Sequence, residues 1–359
     1  SLGAGGAEKS TLDLAFFLKN QNHDVKVICI ERKEVGVKNY SNIDELEIIY
    51  LTSSNFFSQV RELKKIIQCS KKTLVYSSLF RSNLLCRCTK MFVGFKHVEN
   101  LVTTRYSIEK FKLSKNKLGF FYYYIIDFIT IRFLTNYFHS ITNTVTSHYS
   151  KIMLLKKSKI FTIYRGRKRS TKVKEYKNNC DCFKILTVGR QESVKGQIFL
   201  LQALNEMIQM NLIVNLTILG RNGNETKVLK EYVYRNNLNE YVNFAGYDLN
   251  TEDYYLKADL FVFPSIFEGL GGVLIEAQSY GLPIVCSDIE VFKEVVLVDK
   301  NALLFKNKDY KSLLSKILIF YNDRNLLEKF GKKGIQNYND KFEEFKNFKI
   351  LEEALQSII

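Results

Sequence analysis

Short apolar runs recur along the chain and alternate with stretches whose apolar residues follow a helical period. The runs that read as strands are 25–30, 74–76, 185–188, 216–219, 260–263 and 284–286. Because strands that alternate with helical patterns form parallel sheets covered by helices, the pattern predicts an α/β protein.

The segment 259–283 carries the clearest candidate chemistry. Residues 259–264 are predicted to form a buried strand, and 273–280 a helix that ends before Gly281 and Pro283. The glycine-rich loop between them then lies at the carboxyl end of a strand and opens a helix. Ligands bind at such places in doubly wound sheets, because the first N–H groups of a helix lack internal partners and favour an anion.

Two glutamates flank this loop. Glu268 lies in the loop and Glu276 in the first or second turn of the helix, so both can face one crevice. A carboxylate is a poor phosphate ligand but accepts hydrogen bonds from sugar hydroxyls, so the pair indicates a sugar attached to a phosphate. The alternative is that Glu276 is an acid favoured by the helix dipole and Glu268 a solvated loop residue.

The residues around this pair resemble the donor-site signature of the retaining GT-B glycosyltransferases of family four. The signature is carried by 258–265, 267–269, 276–277, 281–285 and Glu294. Further segments are similar to the family's diphosphate-binding turn (189–190 with 195–196), its next strand and glycine turn (216–220), the strand that ends at the nucleotide base (242–247), and its glycine loop and first helix (5–9 and 12–15).

The resemblance implies a GT-B fold, in which two Rossmann-like, doubly wound α/β domains face each other across a cleft. It implies an acceptor-side domain over 1–165 joined by a C-terminal helix at 342–359, a linker over 166–182, and a nucleotide-sugar domain over 183–341. Because the family's glycine loop follows a first strand, we expect that strand to be missing before Ser1. A version extended by roughly ten residues is then expected to express better or be more active.

The resemblance also implies roles for individual residues. Glu276 would accept hydrogen bonds from the ribose hydroxyls. Glu268 would contact the donor sugar near the reacting centre, and it is called catalytic for that contact and not as a base or nucleophile. The other expected donor-binding residues are Gly5, Gly6, Arg190, Lys195, Tyr247, Ser265, Leu270, Gly271 and Gly272. The implied reaction transfers a sugar from a nucleotide diphosphate, expected to be UDP, with retention of anomeric configuration.

Arg190 and Lys195 could stabilise the charge that develops on the leaving diphosphate, although surface cations after a strand are the alternative. With these cations and the helix N-terminus present, we expect no metal and no cofactor besides the nucleotide-sugar co-substrate. The chain has no Asp-x-Asp motif, and its seven cysteines show no metal-ligand spacing, which suits a reduced cytosolic setting.

Three segments depart from familiar patterns. Residues 3–10 are not a phosphate-binding P-loop, because Glu8 stands where glycine must precede the lysine; an ordinary turn is the alternative to a ligand loop. Ser77 and Ser78 occupy the place where many relatives carry a histidine. Arg165 and Arg167 stand where Asn-Gly often follows the interdomain strand, and the sequence favours a solvated linker there over an acceptor site.

The chain has 359 residues, of which 46% are hydrophobic, and this suits two α/β domains. Its charge is uneven, because residues 1–180 hold 32 Lys+Arg against 13 Asp+Glu. Lysines and aromatic residues interleave over 106–138, which indicates a basic, aromatic, amphipathic helix suited to an anionic membrane surface. A buried crossover helix is the alternative. Asp127 and Arg132 interrupt the apolar run 118–134, so we do not expect it to span a membrane.

Together these features predict a glycosyltransferase that adds a sugar to a lipid-linked or oligosaccharide acceptor in surface polysaccharide biosynthesis. It is expected in the cytoplasm, peripheral on the inner face of the cell membrane. A non-catalytic sugar-nucleotide-binding or partner subunit remains an alternative. A basic nucleic-acid-binding protein is a further one, although no nucleic-acid-reading motif is present and no nucleic-acid partner is expected.

Overall fold

The computed structural model describes residues 5–32, 43–67, 73–176 and 182–358. The chain divides into two compact units, here called the amino unit (Ser1–Arg165 with Phe345–Ile359) and the carboxyl unit (Gly166–Glu344). Both are built from parallel strands and helices, which confirms the predicted fold class.

The amino unit alternates strands and helices along the chain. Its elements are α1 (Gly6–Asn20), β1 (Lys26–Cys29), β2 (Glu47–Tyr50), α2 (Phe56–Ile67), β3 (Leu74–Ser78), α3 (Phe80–Lys90), β4 (Lys96–Leu101), α4 (Ile108–Leu113), α5 (Lys117–Leu134), β5 (Tyr137–Ser140), α6 (Asn143–Ile152) and β6 (Ile160–Thr162).

Two parallel sheets form from these strands, β1–β2 and β3–β4–β5–β6. Helix α1 packs against both, because Leu12 joins the cluster around Cys29 while Leu14 joins the cluster around Val98. The expectation of a missing first strand stays a prediction.

The segment 106–138 is not one amphipathic helix, as the sequence suggested, but α4, α5 and β5. Each helix has its own N-cap: the Ser107 side chain accepts from Lys110 N–H to start α4, and Asn116 accepts from Gly119 N–H to start α5. Between them α4 ends before Ser114, whose backbone is extended. The buried residues of α5 are Asp127 and Ile131. No helix among the described residues is long and apolar enough to cross a bilayer.

A buried ion-pair network fastens α5 to the sheet of the amino unit. Arg87 donates to both carboxylate oxygens of Glu99, at 2.5 and 2.6 Å, and to Asp127 Oδ1 at 2.5 Å. All three side chains are at most 1% exposed. Burial alone would raise the pKa of Glu99, but Arg87 outweighs it and the pKa is lowered.

The carboxyl unit contains one six-stranded sheet. Its elements are β7 (Phe183–Val188), α7 (Gln197–Gln209), β8 (Val214–Leu219), α8 (Thr226–Arg235), β9 (Val242–Gly246), α9 (Glu252–Lys257), β10 (Leu260–Phe263), α10 (Gly272–Ser279), β11 (Ile284–Ser287), α11 (Glu290–Val295), β12 (Ala302–Phe305), α12 (Tyr310–Asn322) and α13 (Asn325–Lys341); the last helix, α14 (Glu344–Gln356), packs mainly in the amino unit.

All strands of this sheet are parallel and lie in the order β12–β11–β10–β7–β8–β9. The chain therefore builds outward in one direction from β7 and in the other from β10. In such a sheet the crevice between the two directions, at the carboxyl ends of the strands, is where ligands bind.

Residues 166–176, which the sequence predicts as part of a linker, make close contacts within the carboxyl unit. Lys174 N–H donates to the Tyr280 carbonyl at 2.8 Å, and the Tyr176 hydroxyl donates to the Gly281 carbonyl at 2.8 Å. Residues 177–181 of the predicted linker lie outside the described part of the chain.

Candidate functional site

Two loops meet where the strand order of the carboxyl unit reverses. Residues 189–196 follow β7, residues 264–271 follow β10, and Ile266 N–H donates to the Val194 carbonyl at 2.8 Å. Gly196 has φ +62°, and a Cβ on it would lie 2.2 Å from the Pro264 carbonyl oxygen. Only glycine therefore permits this close approach of the two loops.

Glu268 is held by groups from both loops. Its Oε1 atom forms an ion pair with Lys195 Nζ, and the Ser265 hydroxyl lies 2.9 Å from the same oxygen. The side chains of Lys195 and Glu268 are 22% and 16% exposed, so the pair is partly shielded but reachable from solvent. The structure thus brings together three residues that the sequence predicted for one site.

Glu276 is held by a different pair of groups. Arg167 Nε donates to its Oε1 atom at 2.9 Å, and the Tyr255 hydroxyl donates to its Oε2 atom at 3.1 Å. Tyr255 is fully buried and stacks on Tyr280. Burial, followed by the charge of Glu276, raises the pKa of Tyr255 well above its usual range, so the phenol remains a proton donor. Both carboxylate oxygens are therefore fixed in direction.

The glycine-rich loop ends at the N-terminus of α10. Gly271 is the N-cap with φ +82°, and Leu270 before it is buried, which anchors the loop to the core. The first amides of α10 have no acceptor inside the helix, so this terminus favours an anion. The predicted amides of residues 270–272 lie in the same loop as Glu268.

Arg190 follows β7 and Tyr247 follows β9, two strands of the same sheet with β8 between them, and both side chains are largely exposed to solvent. Arg190 pairs with Glu192 at 3.0 Å and its side chain is 60% exposed. Tyr247 is 48% exposed, and the Arg221 guanidinium lies 4.0 Å from its ring centroid. No hydrogen bond or ion pair within the described residues joins either of them to Glu268 or Glu276. Their contacts with a donor stay predictions.

Gly5 and Gly6 belong to the amino unit, where they begin α1. The Glu8 carboxylate folds back over Gly5, 2.3 Å from where its Cβ would stand. Their part in donor binding also stays a prediction. Ser77, which stands where many relatives have histidine, is buried and lies 2.8 Å from Nε2 of His97.

The sequence did not single out Tyr255, and it favoured a solvated linker for Arg167. Tyr255 lies in the short helix before β10, where its spacing indicates only a core position. Arg167 reaches Glu276 across 109 positions of sequence, and such a contact leaves no local pattern.

The chain is similar to known proteins in sequence and in fold. The sequence profile described as "Glycosyl transferases group 1" matches residues 168–337. The Staphylococcus aureus capsular polysaccharide biosynthesis glycosyltransferase CapM is 24% identical over 364 residues, covering 95% of this chain and 91% of the relative. A Campylobacter jejuni N-acetylgalactosaminyltransferase, named for a diphospho-undecaprenol-linked substrate, is 27% identical over 176 residues, 49% of this chain and 46% of the relative.

Among solved structures, Anabaena HepE in complex with UDP and glucose has a TM-score of 0.85 at 17% identity, covering 99% of this chain and 97% of the other. The sucrose-phosphate synthase of Thermosynechococcus elongatus has a TM-score of 0.84 at 16% identity, covering 99% and 94%. The predicted GT-B fold and the predicted family are therefore confirmed. The chain is a GT-B glycosyltransferase and belongs to the glycosyl transferases group 1 family.

Proposed function

We propose that this chain transfers a sugar from a UDP-sugar to a lipid-linked glycan acceptor, with retention of anomeric configuration, during surface polysaccharide biosynthesis. The observation that carries the proposal is the pair Glu268 and Glu276, each held by its own cation beside the N-terminus of α10. Carboxylates fixed next to an anion-binding terminus suit a ligand that joins hydroxyl groups to phosphates.

The chemistry follows from where charge develops. Breaking the bond between the sugar and the diphosphate places negative charge on the leaving phosphate and positive charge on the anomeric carbon. Lys195 and the α10 amides can stabilise the leaving group, because donors that are already in place require little reorganisation. Glu268 lies beside Lys195, where it can contact the donor sugar.

The relatives support the finer parts of the proposal. HepE was solved with UDP and glucose, CapM is named for capsular polysaccharide biosynthesis, and the Campylobacter relative is named for a diphospho-undecaprenol-linked substrate. We therefore infer a UDP-sugar as the donor and a polyprenyl-diphosphate-linked glycan as the acceptor class.

The exposed face of α5 supports a location on the membrane surface. Leu118 is 87% exposed and Phe133 79%, and Phe121, Tyr122 and Ile129 are each more than half exposed. Lys112 lies in α4, Lys115 lies between the two helices, and Lys117 is the first residue of α5. An apolar, aromatic face beside lysines suits an anionic bilayer, which accepts the rings and attracts the cations. We propose that this face holds the protein at the cytoplasmic surface of the membrane.

The experiment is a panel of nucleotide sugars tested first for thermal stabilisation and then for turnover with polyprenyl-diphosphate-linked acceptors. A bound donor raises the unfolding temperature because it binds the native state alone. Glu268→Gln should lower kcat by about a hundredfold to a thousandfold, the range for losing one group that acts on developing charge. The matched control is Glu290→Gln, which removes an exposed acid paired with Lys293 on α11.

Two outcomes would contradict the proposal. Donor binding without turnover of any donor would favour a non-catalytic sugar-nucleotide-binding subunit. If the Glu268→Gln variant turns over as fast as the Glu290→Gln variant, Glu268 takes no part in the reaction.

A further inference from the structure

Arg167 joins two parts of the candidate donor site. Its Nε atom donates to Glu276 Oε1 at 2.9 Å, and its Nη1 atom donates to the Gly166 carbonyl at 3.0 Å. The remaining nitrogen, Nη2, lies against the first turn of α10, 2.1 Å from where a Cβ on Gly272 would stand. Within the described part of the chain, Nη2 has no hydrogen-bond partner.

The backbone of Arg167 is fixed from several sides. Its N–H donates to the Phe342 carbonyl at 3.0 Å, and its carbonyl accepts from the Tyr338 hydroxyl at 2.7 Å and from Glu344 N–H at 3.2 Å. Its side chain is 16% exposed. Arg167 is therefore held in place by the surrounding backbone and side chains. A guanidinium fixed in this way loses little conformational freedom when it binds a ligand.

The position of Nη2 is unusual in electrostatic terms. A helix N-terminus carries partial positive charge, so a second positive group beside it is favourable only when a negative group lies close to both. Glu276 supplies part of that negative charge through its hydrogen bond with Nε. The N–H groups of Nη2 and the first amides of α10 can still donate to a ligand. The arrangement suits an anion that also presents hydroxyl groups to Glu276.

We propose that Arg167 is a positioning residue for the nucleotide: it orients Glu276 toward the ribose hydroxyls and presents Nη2 to the adjacent phosphate. The inference rests on the proposed function, because it takes a nucleoside diphosphate as the ligand. Tyr255 holds the other oxygen of Glu276, so the carboxylate has one direction in which to accept from the ribose. The same arrangement explains the glycine at position 272, since a side chain there would displace the guanidinium of Arg167.

The test compares the binding of UDP, 2′-deoxy-UDP and uridine by isothermal titration calorimetry. The unmodified protein should prefer UDP over 2′-deoxy-UDP by about tenfold to a hundredfold, the range for one hydrogen bond to a charged group. Arg167→Gln should weaken UDP binding by about tenfold and lower both the preference for the 2′-hydroxyl and the preference for UDP over uridine. Gly272→Ala should have the same effect, because it displaces Arg167 without removing it.

The matched control is Lys172→Ala. Lys172 lies five residues further along the same segment and pairs with Glu252 at 2.9 Å, the same nitrogen-to-oxygen distance as in the Arg167 pair. This variant should bind all three ligands as the unmodified protein does. The unfolding temperature of each variant without ligand checks that it is folded.

The outcomes separate the inference from the function on which it rests. If Arg167→Gln and Gly272→Ala weaken all three ligands by one common factor, Arg167 only supports the fold and the inference is overturned. Unchanged binding in both variants overturns it as well. If the unmodified protein binds UDP, GDP and dTDP no better than it binds uridine, the proposed donor site itself is wrong.

Discussion

The amino unit should lose stability on mild acidification while the carboxyl unit does not. All four histidines of the chain lie in the amino unit, at positions 23, 97, 139 and 148. Burial lowers the pKa of His97 and of His139 from 6.5 to about 4 in the folded protein. Lowering the pH from 7 to 5 therefore protonates these two side chains in the unfolded chain but not in the folded one. Burial also lowers the pKa of the less buried His148 to about 4, which adds to the effect of this pair.

Burial keeps both imidazoles neutral, although the hydrogen bond to Ile163 raises the pKa of His139. The Ile163 carbonyl can only accept, so His139 Nε2 carries the proton at 2.9 Å and Nδ1 accepts from the Tyr76 hydroxyl at 2.6 Å. Arg165 further lowers the pKa of His139. For His97, Glu99 opposes the lowering, whereas Arg87 and Lys90 add to it, and burial outweighs them all.

The sign and size follow from linkage between protonation and folding. A histidine whose pKa is lowered on folding adds stability that is complete above the unfolded pKa and is lost as the pH falls toward the folded pKa. With pKa values of 6.5 and about 4, each residue loses about 2 kcal/mol at pH 5, or about 4 kcal/mol for the pair. Carboxylates with ordinary pKa values near 4 contribute little in this window.

Hydrogen exchange followed by mass spectrometry can measure both units in one sample. After correction for the intrinsic pH dependence of exchange, the slowest amides of β4 and β5 should lose protection by at least about a thousandfold between pH 7 and pH 5. The slowest amides of β8 and β10 should keep theirs. In His139→Gln, which cannot titrate at this position, the loss should be smaller by a factor of about thirty. Equal losses in both units, or full protection of β4 at pH 5, would refute the reasoning.

Two further predictions concern the amino unit. Arg87→Met should destabilise it by about 3–5 kcal/mol, because two buried carboxylates lose their shared cation. The control Arg81→Met, at an exposed ion pair, should cost less than about 1 kcal/mol. Urea titration followed by hydrogen exchange measures both costs, and equal costs would contradict the prediction. Replacing Leu118 and Phe121 by Ser should abolish co-sedimentation with vesicles that contain anionic lipid. Tyr234→Ser, at a similarly exposed aromatic residue on α8, should leave it intact, and retention of binding by the α5 variant would remove this face from the membrane contact.

Much of the carboxyl unit could be predicted from local sequence. Strand-like apolar runs at 185–188, 216–219, 260–263 and 284–286 correspond to β7, β8, β10 and β11, because parallel strands buried on both faces are almost continuously apolar. The helix predicted at 273–280 is α10, since glycine and proline mark its end. The loop with Glu268 follows a strand and opens a helix, as predicted.

The amino unit was less accessible. The segment 106–138 was predicted as one helix because the pattern of its aromatic and basic residues does not reveal the capping residues Ser107 and Asn116, at which α4 and α5 begin. The apolar side chains of α5 that suggested a core face are largely exposed, while its buried side chains include the acid Asp127. The burial of Asp127 depends on Arg87 in α3, and composition gives no sign of such a partner.

Local sequence was enough to predict an α/β protein with a glutamate pair at a glycine loop, because periodicity and turn residues act over short spans of chain. The GT-B type followed from the resemblance of its motifs to a known family. The cation that pairs with each glutamate became known from the three-dimensional structure: Lys195 from the neighbouring loop pairs with Glu268, and Arg167 from the segment before β7 pairs with Glu276. Lys195 meets Glu268 because the parallel strands β7 and β10 bring their carboxyl ends to one edge of the sheet. Arg167 follows no strand of this sheet, and its contacts with Phe342 and Tyr338 place it beside Glu276.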